Sequence, residues 1–142
     1  MSQTEPSLLG IWKLKAFYLE PVDGDTRIDA FGLNPRGVLM LHPDGRMCAV
    51  ITPGEQPVPT TDAERAAAFG KLIAYSGRFR LEPPDRFVTS VDVAWAPDWV
   101  GTDQQRTFRL DGDKLDIVSA PVRLPNIDGL VRGVMAWERE VA

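Results

Sequence analysis

Two residues at opposite ends constrain this chain more than anything between them. Trp12 stands two positions after Gly10 at the start of the first hydrophobic run, and Arg139 ends a Trp137-Glu138-Arg139 triplet close to the last residue. A Gly-x-Trp in a first strand and an Arg in a last strand suit a sheet that closes on itself. Closure sets first and last strands side by side and lets the guanidinium lie over the indole face, plugging one end. Trp137 is expected in the same closure.

The chain between them is punctuated by turns. Val22-Asp23-Gly24-Asp25, Pro43-Asp44-Gly45, Pro83-Pro84-Asp85, Asp111-Gly112-Asp113 and Asn126-Ile127-Asp128-Gly129 each combine residues that tolerate left-handed backbone or preset a corner. They separate β-type runs at 10–19, 36–42, 46–52, 74–81, 86–95, 104–110, 114–119 and 130–140, with a shorter one near 26–28. The expected fold is all-β: a small antiparallel up-and-down barrel of eight to ten strands. One segment, 61–72, breaks the pattern with Ala-rich helix formers, Thr61 or Asp62 as N-cap and acid early. It is expected as an inserted helix covering an opening or one wall, reached through a Pro-rich loop at 53–59.

At 142 residues the chain makes one domain, 1–142. A net charge of −4 gives no basic footprint, which argues against nucleic acid. Cys48 is alone, so no disulfide forms within the chain; it reads as a small buried hydrophobe. The first six residues lack the basic and apolar regions of a secretory signal, and no apolar run approaches a membrane span. A cytoplasmic protein without membrane attachment is expected. No G-x-G-x-x-G, P-loop or G-x-S-x-G occurs, and one His, one Cys and scattered carboxylates give no ligand spacing. No cofactor and no metal are expected.

An ordered series of motifs runs through nearly the whole chain: Leu9-Gly10-x-Trp12, Asn34-Pro35-Arg36-Gly37, Pro43-Asp44-Gly45-Arg46-Met47, Ala67-Ala68-Phe69 and Tyr75-Ser76-Gly77-Arg78-Phe79. It continues with Pro97-x-Trp99-Val100-Gly101-Thr102-x-Gln104-x-Arg106 and Arg132-Gly133-Val134-x-x-Trp137-Glu138-Arg139. This series resembles the bacterial and fungal lipocalin-like domain family, a branch of the calycin-type barrels. The resemblance implies small-molecule binding or a tailoring activity rather than one defined reaction. It also implies a His near positions 89 and 90, where this chain reads Thr89-Ser90, so a catalytic role for that His is not carried over.

Candidate chemistry falls on a few residues. His42, the only histidine, flanks a hairpin turn and could act as acid or base at a rim, or be an ordinary turn residue. Gln104, Arg106, Phe108 and Leu110 share one strand face by the two-residue period, and the apolar members point that face inward. If position 92 pairs with 106, Asp92 faces in as well; a one-residue slip turns it outward and brings Thr89, Val91, Val93 and Trp95 inside. An Arg in an apolar cavity needs Asp92, Gln104 or a ligand oxygen. The alternatives are ligand binding or a structural ion pair. Tyr75 alternates inward with Gly77, Phe79 and Leu81 and could serve a ligand or only satisfy a neighbour. Trp95 and Trp99 flank a turn at the expected mouth, suited to a flat ligand or to capping a core.

The candidate ligand-binding set is therefore Tyr75, Asp92, Trp95, Trp99, Gln104 and Arg106, with Tyr75, Asp92 and His42 as candidate proton movers. The first functional reading is binding of a small, mostly apolar or aromatic molecule in the barrel. A tailoring enzyme (cyclase, isomerase or dehydratase) and a packed interaction module are the alternatives. Both faces of the hairpin at 36–52 are apolar, with Leu39, Leu41, Met47 and Ala49 on one and Val38, Met40, Cys48 and Val50 on the other, so the outer one must be covered. The helix is expected to cover that face; left bare, it would favour a homodimer.

Overall fold

The computed structural model describes residues 6–24, 26–123 and 127–141; Met1–Glu5, Asp25, Asn126 and their share of the start and turn readings lie outside it. The turns divide the chain into β1 (Gly10–Pro21), β2 (Ile28–Asp29), β3 (Arg36–Leu41), β4 (Arg46–Thr52), α1 (Asp62–Phe69), β5 (Ile73–Glu82), β6 (Arg86–Ala94), β7 (Asp103–Asp111), β8 (Lys114–Ser119) and β9 (Val131–Arg139). Each strand pairs antiparallel with its successor from β3 to β9, β1 pairs with β3, and β1 with β9 completes the ring. The result is a closed eight-stranded barrel with β2 added against Tyr18 and Leu19 of β1. Closure removes the free sheet edges that an open sheet would expose.

The end expected to be plugged is plugged by the expected residues. Trp12 pairs with Arg139 across the closing seam. Its ring is fully buried and its Nε1–H donates to Leu8 O at 2.9 Å. The Arg139 guanidinium lies 4.3 Å from the Trp12 ring centroid. It donates to Leu9 O at 2.8 Å, to Ser7 O, and to Asp113 Oδ1 at 3.2 Å. Gly10 has a φ of +125°, and a Cβ there would stand 3.1 Å from Arg139 Nη1. The glycine of Gly-x-Trp thus serves both backbone geometry and the guanidinium's seat.

Two one-residue bulges decide which side chains face inward. On β1, Leu14 pairs with Trp137 and Ala16 with Ala136, so Lys15 is extra; the inward set passes from Trp12 and Leu14 to Phe17 and Leu19. On β6, Gly77 pairs with Val91 but Ser76 with Val93, so Asp92 is extra. A Cβ on Gly77 would come within 2.1 Å of Ser90 O, so only glycine admits the tight crossing.

The outer wall departs from expectation. No residue of α1 is buried, and Met40 and Val50 are 47% and 45% exposed. Cys48 is half-buried on that wall rather than in the core. The helix instead lies along its own Pro-rich approach, where residues 53–59 face Glu64, Ala67 and Ala68. It is held at its start by Thr61, whose hydroxyl accepts from Glu64 N at 3.1 Å, while Glu64 accepts from Thr60 N at 2.8 Å. Among the described residues, no helix is long and apolar enough to cross a membrane.

Candidate functional site

Above the plug the inward side chains no longer meet, and the barrel holds a cavity of about 230 Å³. Every barrel strand contributes to it. Phe17, Leu39, Met47, Ile51, Phe87 and Ile117 are among its apolar walls, and Trp137 faces it from the last strand. Ala49, pressed into the wall at 2% exposure, leaves room that a larger residue would fill. The barrel is not packed solid.

Among the described residues, Tyr75, Arg106 and Ser119 are the polar side chains that line this cavity. Tyr75 and Arg106 sit where alternation on β5 and β7 placed them, facing in. Burial pushes the Tyr75 phenol above the usual tyrosine range, and the charge of Arg106 pulls it part of the way back. Arg106 Nη2 donates to Gln104 Oε1 at 3.2 Å and Nη1 to Gln105 O at 2.9 Å. No carboxylate among the described residues pairs with it. Ser119 Oγ accepts from Gly133 N at 2.8 Å and donates to Ala120 O at 3.2 Å. Trp137 Nε1, buried, has no hydrogen-bond partner among the described residues.

The Pro97–Arg106 motif builds the mouth. A single 3₁₀ turn at Pro97–Trp99 is tied to the β6 bulge by Val91, which donates to Thr102 O and accepts from Gly101 N, both at 2.9 Å. From there a chain of side-chain bonds runs inward. The Thr102 hydroxyl donates to Trp99 O at 2.6 Å, Gln104 Nε2 donates to Thr102 Oγ1 at 2.8 Å, and the other end of Gln104 receives Arg106. Trp99 packs against Tyr75 at 5.1 Å between ring centroids, and Trp95 edges onto Trp99 at 4.9 Å.

Six candidates thus separate. Tyr75, Trp99 and Arg106 come together on the cavity, Gln104 holds Arg106, and Trp95 backs Trp99 from behind. Asp92 does not join them. Position 106 pairs with Phe87, not with 92, and the bulge sets the Asp92 carboxylate on the outer wall. There Arg46 grips it with bonds of 2.7 and 3.0 Å and holds it below the usual carboxylate range. The slipped register fails as well: Thr89 and Val91 face in, but beyond the bulge Val93 is 62% exposed. His42 lies at the plugged end, 63% exposed, where its Nδ1 accepts from Asp44 N at 3.1 Å; that is the end remote from Tyr75. Among the described residues no group of three or more His, Cys, Asp or Glu is arranged to hold a metal ion. Phe17, Met47, Phe87, Ser119 and Met135 escaped the sequence reading. The alternation on β4, β8 and β9 could have found most of them, but Phe17 is hidden by the Lys15 bulge.

A closed eight-stranded barrel with one mouth and an apolar interior cavity defines a calycin-type architecture. The chain belongs to the lipocalin-like domain family, whose family model matches residues 9–140. It is also 30% identical to the 4'-hydroxy-3'-methoxypropiophenone carrier protein of Aspergillus oryzae, over 61% of this chain and 83% of that protein. Barrel and relative together support small-molecule binding as a general class of activity.

Proposed function

We propose that this protein binds and carries a small, mostly apolar molecule, with a single substituted aromatic ring as the best-fitting body, inside the barrel cavity. One observation carries the reading: an interior cavity of about 230 Å³ with apolar walls and a few placed polar groups, the usual make-up of a ligand site. An apolar protein cavity of about 150 Å³ takes a benzene molecule, so this one suits a ring with substituents. The Aspergillus relative is named for carrying an oxygenated aryl ketone, which is a molecule of that size class. Trp137 adds support, since a buried N–H without a partner is unfavourable by about 1–3 kcal/mol, and an acceptor on a bound molecule would relieve it.

Carriage without turnover is favoured over tailoring chemistry by where the proton movers lie. Tyr75 stands on the cavity without Asp92 or His42, which are on the outer wall and at the far end. The reading takes the protein as cytoplasmic, in keeping with its lone cysteine.

The test is fluorescence titration with small neutral arenes, because Trp99 and Trp137 both line the cavity. Saturable quenching at one molecule per chain is expected, with the arene recovered unchanged. Ala49→Phe should fill the cavity and weaken binding at least about tenfold, while overpacking lowers stability by roughly 1–3 kcal/mol. Quenching that survives Ala49→Phe in a folded protein would place the ligand elsewhere. Conversion of the bound molecule would move the reading to an enzyme.

A further inference from the structure

Arg106 belongs to two hollows at once. Besides the interior cavity it lines an outer cleft of about 270 Å³, where it meets Arg86, Arg132, Thr107 and Gln105, and Ser119 is likewise shared by both. Among the described residues, no acidic one lines either hollow. Arg86 has an outside partner in Glu82 at 3.4 Å; Arg106 and Arg132 pair with no carboxylate among the described residues. Three arginines therefore line this cleft, and one of them, Arg106, also lines the apolar cavity.

We propose that the carried molecule is an anion: an apolar body in the cavity bearing one anionic oxygen head group, carboxylate or acidic phenolate, seated on Arg106 at the junction with the arginine cleft. This rests on the binding reading above and names the chemistry it leaves open. Arg106 spends two N–H groups on the neutral oxygens of Gln104 and Gln105. Those bonds fix the planar fork in place without compensating its charge. A fixed, half-buried guanidinium beside apolar walls gains most from an oxyanion, through short charge-assisted bonds.

The other polar groups on the cavity agree in sign. Tyr75, held protonated by its burial, offers an O–H, and Trp137 offers an N–H. Ser119 already uses its oxygen to accept from Gly133. A wall that offers donors and no acid selects a ligand rich in acceptors. Arg86 and Arg132 extend the positive field outward from Arg106, where it raises the local concentration of anions beside that residue.

The experiment compares two probes of one shape, 3-phenylpropanoate and 3-phenylpropanamide, by tryptophan quenching and calorimetry at neutral pH. The carboxylate should bind about tenfold more tightly or better, a margin that shrinks with added salt. In Arg106→Gln the two should converge to within about threefold, with the carboxylate losing more affinity than the amide. Arg106→Lys, which retains charge without the fork, should keep part of the preference and guards against a misfolded variant. The double change Arg86→Gln with Arg132→Gln should slow association of the carboxylate alone. Equal binding of the two probes to the wild type would overturn the anion assignment and leave carriage of neutral molecules standing. A preference that persists in Arg106→Gln would overturn the seat. Failure of both probes and of neutral arenes to bind at all would remove the binding reading, and this assignment with it.

Discussion

The two ends of the barrel each present an arginine to an aromatic neighbourhood, and the two are used in opposite ways. Arg139 at the plugged end has its charge compensated from within the chain. It stacks on Trp12, fills two backbone carbonyls and pairs with Asp113. Arg106 at the mouth is held by two neutral oxygens and meets no acid among the described residues. The difference shows how a fold separates stability from recognition. A charge whose demands are met from within the chain fastens the structure. A charge positioned but left uncompensated is a recognition element, and it stands where side chains stop filling the barrel.

The sharpest way to break this comparison is at the plug itself. Trp12 is fully buried, and Trp12→Ala should cost about 3–5 kcal/mol, a large part of the roughly 5–15 kcal/mol available to a domain of this kind. Chemical denaturation would read it directly. A loss below about 1 kcal/mol would mean that the plug is not what holds the closing seam.

The paired arginine substitutions come next in size. Arg139→Gln removes the bonds to the carbonyls of Ser7 and Leu9 and the cation from the indole, and should lower stability by about 2–4 kcal/mol. Arg106→Gln should change it by about 1 kcal/mol or less in either direction, because no internal ion pair is lost. Equal losses in the two variants would erase the distinction and make Arg106 a structural group.

This pattern was partly legible from residue order. The barrel, its strands, the helix and the Trp12–Arg139 closure follow from turn residues, two-residue alternation and the placing of one Trp and one Arg. Tyr75 and Arg106 were legible as inward residues because β5 and β7 alternate without interruption. Asp92 was not, because its orientation depends on a single extra residue in β6. The cause lies on the neighbouring strand, in the missing side chain of Gly77. Phe17 was hidden for the same reason by Lys15. A bulge changes the parity of everything beyond it and leaves little local trace in composition. The bare outer wall around Met40 and Val50 was invisible too, since an apolar strand face does not say whether a helix will cover it.

A third arginine gives the smallest effect and marks where the recognition site ends. Arg46 grips Asp92 on the outer wall, and the hydrogen bond with Arg46 holds the Asp92 carboxyl below its usual range. Because the folded pKa is the lower one, the stability it contributes is present above the unfolded value. It is lost as pH falls through the folded value. Asp92→Asn should therefore lower stability above about pH 4 and converge with the wild type in more acid solution, and only slightly, since the pair is open to solvent and screened by salt. Denaturant midpoints taken across that range at low salt would show it. The same variant should bind 3-phenylpropanoate as the wild type does, because its carboxylate faces away from the cavity. A loss of binding in Asp92→Asn would mean that the β6 bulge shapes the mouth through the Gly101–Thr102 connection, so that outer wall and cavity are coupled rather than separate.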